Sequence, residues 1–506
     1  MKVPSTTSYE ARTASWGYRV GPFTEAFRGL KLLLDEEQET MYPPSLCSKK
    51  LLAILDKDAV QVTADYLRHL IKYAQGVLER RLGIAASAMN LQFILTVPAV
   101  WSDKAKDCTL RAALKAGIAP QDISLVSEPE AAALYSLRAI QSNSIAKNDV
   151  FVVCDAGGGT VDLISYQIQG LEPLVMREVV KGAGRICGSM LLDESFQKML
   201  EERMGPKGYA ALSDKAKEAA LHYCQDRVKP NFAGQYDEDF ADVDYFIPVP
   251  GSLDDHLASI EDGFLYLTSE DVTSIFDPIV KEVESLVAEQ IEGIKEKKLH
   301  PKAIILVGGF GASMFLFHRL QEASPSVLVM QPPDAGAVHR GFDGNQVENR
   351  IACRHYGIEI SIPYVEGQDN PDRKVWCPLE EQYNIHDSMR WYIKKFSVIS
   401  ENSPIRMPFY NSRNIGDGLC FEVKLLFCND DTAPDFKNNH TDTMRLCTLK
   451  ADLSTIPREL FTQKCNSKGV KYYHIDYKLV MIPTSASLLF ELEFNGVRYG
   501  SVRSKY

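Results

Sequence analysis

The residues "VFVVCDAGGGTVDLISYQI", Val150 to Ile168, restrict the possible folds more than any other part of the chain. An apolar run ends on Asp155, three glycines and Thr160 follow, and a second run alternating apolar with polar residues begins at once. Such a pattern is two strands joined by a turn. Glycine lacks a Cβ and admits positive φ, so a glycine turn at a strand end lets backbone amides approach a bound anion closely. "GGFGAS", Gly308 to Ser313, repeats the arrangement after another apolar run, "KAIILV". A single glycine cluster is explained as well by a tight hairpin or by close strand–helix packing. Two clusters, each after a buried strand and one beside a carboxylate, point to a phosphate ligand. Asp155 stands where a carboxylate would hold a hydrated Mg²⁺ against phosphates, Thr160 adds a hydroxyl, and Asp162 adds a second carboxylate.

The neighbouring segments alternate in type. "ADYLRHLIKYAQGVLERRLG" (64–83) has helical apolar spacing, with Thr63 as the expected cap and Gly83 as terminator. "LQFILTVPAV" predicts a strand ending at Pro98, and "SDKAKDCTLRAALKAG" a helix capped by Ser102. "ISLVSEPEAAALYSL" predicts a strand, a turn at Pro129 and a helix; "KGAGRICGSMLLDESFQKML" predicts a glycine-rich loop entering a helix. In "SEDVTSIFDPIVKEVESLVAEQIEGI", Ile275, Ile279, Val283, Leu286, Val287 and Ile291 share one helical face. The acidic run from Tyr236 to Tyr245 lacks the central glycine of a calcium loop and reads as a solvated loop. Alternating strands and helices predict an α/β architecture with covered sheets. Past about residue 355 short alternating runs such as "CFEVKLLFC" and "KYYHIDYKLVMI" take over, so a boundary is expected near Arg354 with a β-rich domain after it.

At 506 residues the chain exceeds what a single core usually covers. Its net charge of −11 disfavours general nucleic-acid or anionic-membrane binding. The 11 cysteines include no CxxC pair, which fits reduced thiols and a cytoplasmic location. The expected partners therefore include no nucleic acid and no membrane.

Four segments together resemble one superfamily. "DAGGGTVDL" is similar to the second phosphate motif of the actin, sugar-kinase and 70-kDa heat-shock proteins, and "IILVGGFGAS" to their adenosine motif. "LTVPAVWSDKAK" and "VSEPEAAALYSL" resemble the segments between. Order and spacing fit the heat-shock 70 kDa chaperone branch, in a divergent, fungal-type form. The resemblance implies an actin-like (ribonuclease H-like) ATPase domain over 1–354 and a β-rich, sandwich-like domain over 355–506, without the family's helical lid.

Roles follow residue by residue. The resemblance makes Asp155 the Mg²⁺-shell carboxylate, with the metal held through water, and Gly157, Gly158, Gly159 and Thr160 the phosphate-binding turn. It makes Glu128 and Asp162 the acids near the attacking water, and Pro98 an interdomain switch, with Lys106 where the family has Arg. Gly308, Gly309 and Ser313 match the ribose and adenine loop. Asp226 and Lys229, in "CQDRVKPNF", fall at the spacing of a pair that clasps adenosine, with Pro230 in place of the next Arg. The cofactors implied are ATP or ADP with Mg²⁺; the implied partners are unfolded peptide clients or co-chaperones. Tyr472 and Tyr473 are candidates for a peptide groove, although sandwich core explains them better.

The resemblance also implies an "Asp-x-Gly-Thr-Thr" hairpin ahead of "VPSTTSYE", and a lysine near the γ-phosphate; neither is found in the sequence. The first lobe is thus expected to be truncated to a two-stranded remnant, the true start lying upstream, or else degenerate. ATP hydrolysis is expected to be weak or absent in this chain. The alternatives are a chaperone-type ATPase and a non-hydrolysing nucleotide-gated scaffold or pseudo-ATPase. A small-molecule kinase is disfavoured, because the β-rich part fits no sugar-binding insertion.

Overall fold

The computed structural model describes the chain except residues 1–2, 10–13, 22–23, 37–42, 84–88, 140–144, 237–243, 333–345, 438–442 and 506. Most of the acidic run from Tyr236 to Tyr245 lies outside the described residues. The chain separates into two compact units, Met1–Gln346 and Val347–Tyr506.

In the first unit, β1 (Thr7–Ser8) and β2 (Ser15–Trp16) pair, and α1 (Pro43–Ile54) and α2 (Ala59–Leu82) follow. Helix α2 begins earlier than its periodicity predicts. Asp58 caps it, accepting from the Gln61 amide at 2.6 Å, while Thr63 lies inside the helix. Gly83 is its C-cap, as expected. β3 (Phe93–Val97), α3 (Asp103–Ala116), β4 (Ile123–Ser127) and α4 (Glu128–Ala139) come next. β3 and β4 form a two-stranded parallel sheet, with Phe93 opposite Ile123 and Val97 opposite Ser127. Ser102 caps α3 through the Ala105 amide, and its hydroxyl donates to buried Asp35 at 2.8 Å. The turn expected at Pro129 is instead the first turn of α4, where proline's missing N–H has no helical partner to lose.

β5 (Val150–Ala156), β6 (Val161–Leu171) and β7 (Leu174–Arg185) are an antiparallel run. The glycines of "KGAGR" are therefore in a strand rather than in the predicted loop. A Cβ on Gly184 would stand 2.7 Å from the Val161 carbonyl and 2.8 Å from Val100, so close packing requires the glycine there. α5 (Met190–Ala211), α6 (Asp214–Tyr223), the small antiparallel sheet of β8 (Tyr245–Pro248), β9 (Ile260–Glu261) and β10 (Phe264–Leu267), and α7 (Ser269–Glu296) follow. Thr268 and Asp271 form a capping box at the start of α7. The six apolar residues read as one face of α7 are all buried. β11 (Pro301–Val307), α8 (Met314–Ala323) and β12 (Leu328–Met330) end the α/β part. Strands β12, β11, β5, β6 and β7 lie side by side in that order, with β11 parallel to both β5 and β12. The inner face of α7 packs with Phe196, Phe232, Phe315 and the core residues of β5.

The second unit has no α-helix among its described residues. Its strands are β13 (Val347–Ile351), β14 (His355–Pro363), β15 (Lys374–Cys377), β16 (Gln382–Ile393), β17 (Val398–Ile399), β18 (Ile405–Asn414) and β19 (Cys420–Cys428). β20 (Thr443–Asp452), β21 (Thr462–Cys465), β22 (Lys471–Pro483), β23 (Leu488–Phe494), β24 (Val497–Ser501) and β25 (Arg503–Lys505) complete it. One sheet has the order β15-β16-β14-β19-β20-β25; the other joins β18, β22, β23 and β24, with β21 beside β22. A single apolar cluster takes Ile358, Leu425 and Leu449 from the first sheet and Ile475, Leu479 and Phe490 from the second. Tyr472 and Tyr473 are buried, and Tyr473 belongs to that cluster, so neither is offered to a groove. The unit Val347–Tyr506 includes β13, which pairs with β17 through Arg350–Ile399 and Ile351–Val398.

Among the described residues no helix is long and apolar enough to cross a membrane. All 11 cysteines are free thiols.

Candidate functional site

The two glycine turns leave adjacent parallel strands at the same end, since Val307 of β11 is in register with Asp155 of β5. Carboxyl ends of parallel strands are where open α/β sheets take their ligands. The turns are also tied together, because the Phe310 and Gly311 amides both donate to the Ala156 carbonyl, at 2.8 and 3.0 Å. Both border a cavity of about 1380 Å³ in the first unit.

Gly157 to Thr160 are held by the chain entering α5. Amides of Ser189, Met190 and Gly188 donate to the carbonyls of Gly157, Gly158 and Gly159, at 3.1, 2.8 and 3.2 Å. In a trans peptide the N–H points opposite to the C=O. With the carbonyls drawn toward α5, the Gly158, Gly159 and Thr160 N–H groups are directed away from it. No backbone carbonyl among the described residues accepts from Gly158 or Gly159.

The glycines divide by what they are for. Gly308 has φ +91°, and a Cβ there would lie 2.4 Å from the Ala156 carbonyl. Cβ atoms on Gly188 and Gly311 would also collide with backbone, at 2.4 and 2.0 Å. Gly158 and Gly309 differ: neither has positive φ, a Cβ on Gly158 meets only Met190 at 3.9 Å, and one on Gly309 meets nothing within 4 Å. The fold has room for a Cβ at both positions, and both line the cavity.

Acidic side chains gather beside the turns. Asp155 and Asp162 are directly opposite across the β5–β6 ladder. Burial, then the charges of Glu128 and Asp162, push the Asp155 carboxyl up to about 7, with Lys31 opposing. Asp162 is pushed up to about 6 by burial and by Glu128, while hydrogen bonds from Thr160 and the Val100 amide, and the Lys31 charge, hold it down. Three carboxyls thus compete for little positive charge, a setting that favours a cation. Among the described residues no three His, Cys, Asp or Glu side chains are grouped to ligate a metal directly. Of the carboxylates, Asp155 and Glu128 line the cavity and are placed to meet a cation there.

Several expected residues do meet. Glu128, Asp155, Gly157, Gly158, Gly159, Thr160, Gly308 and Gly309 all line the one cavity. Asp162 is buried behind the turn. Ser313 caps α8, accepting from the Leu316 amide at 3.3 Å, and is buried under the loop rather than lining the cavity. Pro98 is buried at the end of β3, and Lys106 lies within α3. Asp226 and Lys229 are not among the residues lining the cavity. Lys229 Nζ is held by Asp193 at 2.6 Å and the Ser189 carbonyl at 2.8 Å, while Asp226 is exposed on a π-helical turn, Cys224–Val228.

Sequence reasoning missed Lys31, which lines the cavity and forms an ion pair with Glu128. Its side chain is 47% exposed against 17% for Glu128, so the ammonium reaches open space. It lies in a short 3₁₀ turn, Leu30–Leu33, entered through Gly29 at φ 64°. Nothing local links it to a partner 97 positions later. Ser5, Thr6, Arg28, Glu218, His222 and Gln225 also line the cavity and were not singled out.

No protein-family model matches the chain. Among curated proteins it is similar to heat shock 70 kDa protein 12A of Homo sapiens, 23% identical over 406 residues, covering 63% of this chain and 59% of that protein. It is 23% identical over 432 residues to heat shock 70 kDa protein 12B of Homo sapiens, covering 68% of this chain and 60% of the other. A shorter match, 27% identical over 159 residues, is to chaperone protein DnaK of Ureaplasma parvum, covering 29% of this chain and 24% of that one. The chain thus spans 59% and 60% of the length of the first two relatives.

Proposed function

We propose that this divergent homologue of the heat-shock 70 kDa proteins binds Mg-ATP in the glycine-lined cavity of its first unit, in an actin-like domain, and uses the bound nucleotide as a conformational signal. One observation carries the reading: Gly158 and Gly309 are bare where the protein itself leaves room for a Cβ. A glycine that neither backbone conformation nor packing demands, on a cavity wall, is explained by the close approach of a ligand. The amides of the first turn would donate to phosphate oxygens, and Lys31 would add a cation. Asp155 would hold Mg²⁺ through water, and the metal would supply charge neutralisation at the phosphates.

Turnover is expected to be slow. Asp162, which the resemblance places near the attacking water, is shielded from the cavity, and Glu128 would share Lys31 with the phosphates. This favours the nucleotide-gated scaffold over an efficient ATPase. The β-rich second unit is our candidate for peptide clients, on the strength of the family resemblance. Calorimetric titration of the full chain with ATP, with and without Mg²⁺, tests the reading, followed by single-turnover hydrolysis. Mg²⁺-dependent binding with little product supports it. No heat of binding up to about 1 mM nucleotide, a free energy of only about −4 kcal/mol, would overturn it.

A further inference from the structure

We infer that His222 is the platform on which the base of the bound nucleotide stacks, and that the side-chain carbonyl of Gln225 faces the base's amino edge. This rests on the reading of the cavity as a nucleotide site. Residues Glu218, Leu221, His222 and Gln225 follow one another at helical spacing along α6 and into the π turn, and all four line the cavity with Gly308, Gly309, Gly311 and Ala312.

Those two groups of lining residues are chemically unequal. The glycine loop contributes nothing larger than the Ala312 methyl, and a Cβ on Gly311 would collide with the Val307 carbonyl at 2.0 Å. A planar base can be covered on that side by backbone but gains no aromatic face from it. His222 is the one aromatic ring among the described residues lining the cavity. Its side chain is 57% exposed, so the ring face is available, and Glu218 one turn earlier stands 3.6 Å from its Nε2 and restrains it. Lys229, which the resemblance assigns to an adenosine clasp, is bound to Asp193 and the Ser189 carbonyl. The same carboxylate orients Gln225, whose Nε2 donates to Asp193 Oδ2 at 2.9 Å. That bond turns the amide oxygen away from Asp193. An acceptor there suits a base with an exocyclic amine, as adenine has, and disfavours the 6-oxo group of hypoxanthine.

The test uses the full chain with three probes in Mg²⁺: ATP, inosine triphosphate and tripolyphosphate. His222→Ala should weaken ATP about tenfold, within the range of one base–aromatic stack, and leave tripolyphosphate unchanged. His222→Phe should keep wild-type ATP affinity, because a ring face is what is needed. Wild type should prefer ATP to inosine triphosphate, and Gln225→Leu should abolish that preference. Unchanged ATP affinity in His222→Ala, or an equal loss for tripolyphosphate, overturns the stacking role. Wild-type ATP binding no tighter than tripolyphosphate removes the base subsite but leaves the phosphate site intact. If wild type binds neither, the nucleotide reading itself fails and takes this inference with it. Melting temperatures equal to wild type would exclude misfolding, as expected for an exposed helix position.

Discussion

Replacing Gly158 or Gly309 by valine separates what the fold needs from what a ligand needs. Neither residue has positive φ, and the nearest protein atom to an added Cβ is 3.9 Å away at Gly158 and beyond 4 Å at Gly309. Substitutions in open space usually change stability by no more than about 0.5 kcal/mol. A phosphate oxygen, however, must come within about 2.9 Å of an amide nitrogen to accept its proton. An isopropyl group over the same turn prevents that approach. Hydrogen bonds to a charged group are each worth about 1.5–3 kcal/mol, so losing two costs about 3–6 kcal/mol, roughly 10²–10⁴-fold in Kd. Gly308→Val is the contrasting case. Its φ of +91° and a Cβ 2.5 Å from Asp155 Oδ1 mean that it should lower the melting temperature before any ligand is added. Calorimetry of Mg-ATP binding, run beside thermal melts, gives both readouts. Wild-type ATP affinity in both Gly158→Val and Gly309→Val would refute the phosphate cradle.

Three further outcomes are expected. Lys31→Met should weaken tripolyphosphate binding by the low end of what one charge at about 4 Å contributes, about 1 kcal/mol or fivefold, because the ammonium is solvated; an unchanged titration would remove Lys31 from the site. Asp107 is pushed up to about 6 by burial, with Arg111 opposing. A carboxyl raised above its unfolded value favours the fold while protonated, and that advantage is lost as the pH climbs from about 4 to about 6. Asp107→Asn should therefore melt above wild type at about pH 7.5 and level with it below about pH 4; a lower melting temperature at the higher pH contradicts this. Residues 347–506 expressed alone should give a dispersed amide NMR spectrum, and a fragment starting at His355 should melt lower, having lost the β13 pairing with β17. The spectrum of an unfolded chain from 347–506 would show that the unit needs the rest of the protein.

What could be read from the sequence was what the chain states locally. The strands around the GGGT turn, the buried face of α7 and the Ser102 cap each follow from a periodicity or a motif a few residues long. Helix α2 shows the limit, since "AVQVTADY" begins with alternating valines that mask the helix start, and Asp58 caps ahead of the more obvious Thr63. Asp226 and Lys229 show a second. Their spacing is right for one helical face, but the π turn at Cys224–Val228 changes the angle between them, and Asp193, far earlier in the chain, claims the lysine. Lys31 shows a third, because its ion pair closes a long loop that no local pattern encodes.

The glycines bring these limits together. In the sequence, Gly158, Gly188, Gly309 and Gly311 carry the same message, that something passes close to the backbone. Only the surroundings say what it is. At Gly188 the neighbour is the Gly158 carbonyl, and at Gly311 the Val307 carbonyl, so the protein itself accounts for them. At Gly158 and Gly309 the protein supplies no neighbour closer than ordinary contact. The sequence does not separate these four, whereas packing assigns two to the fold and leaves two for a ligand. The functional reading therefore rests most heavily on the glycines that the folded chain has least use for.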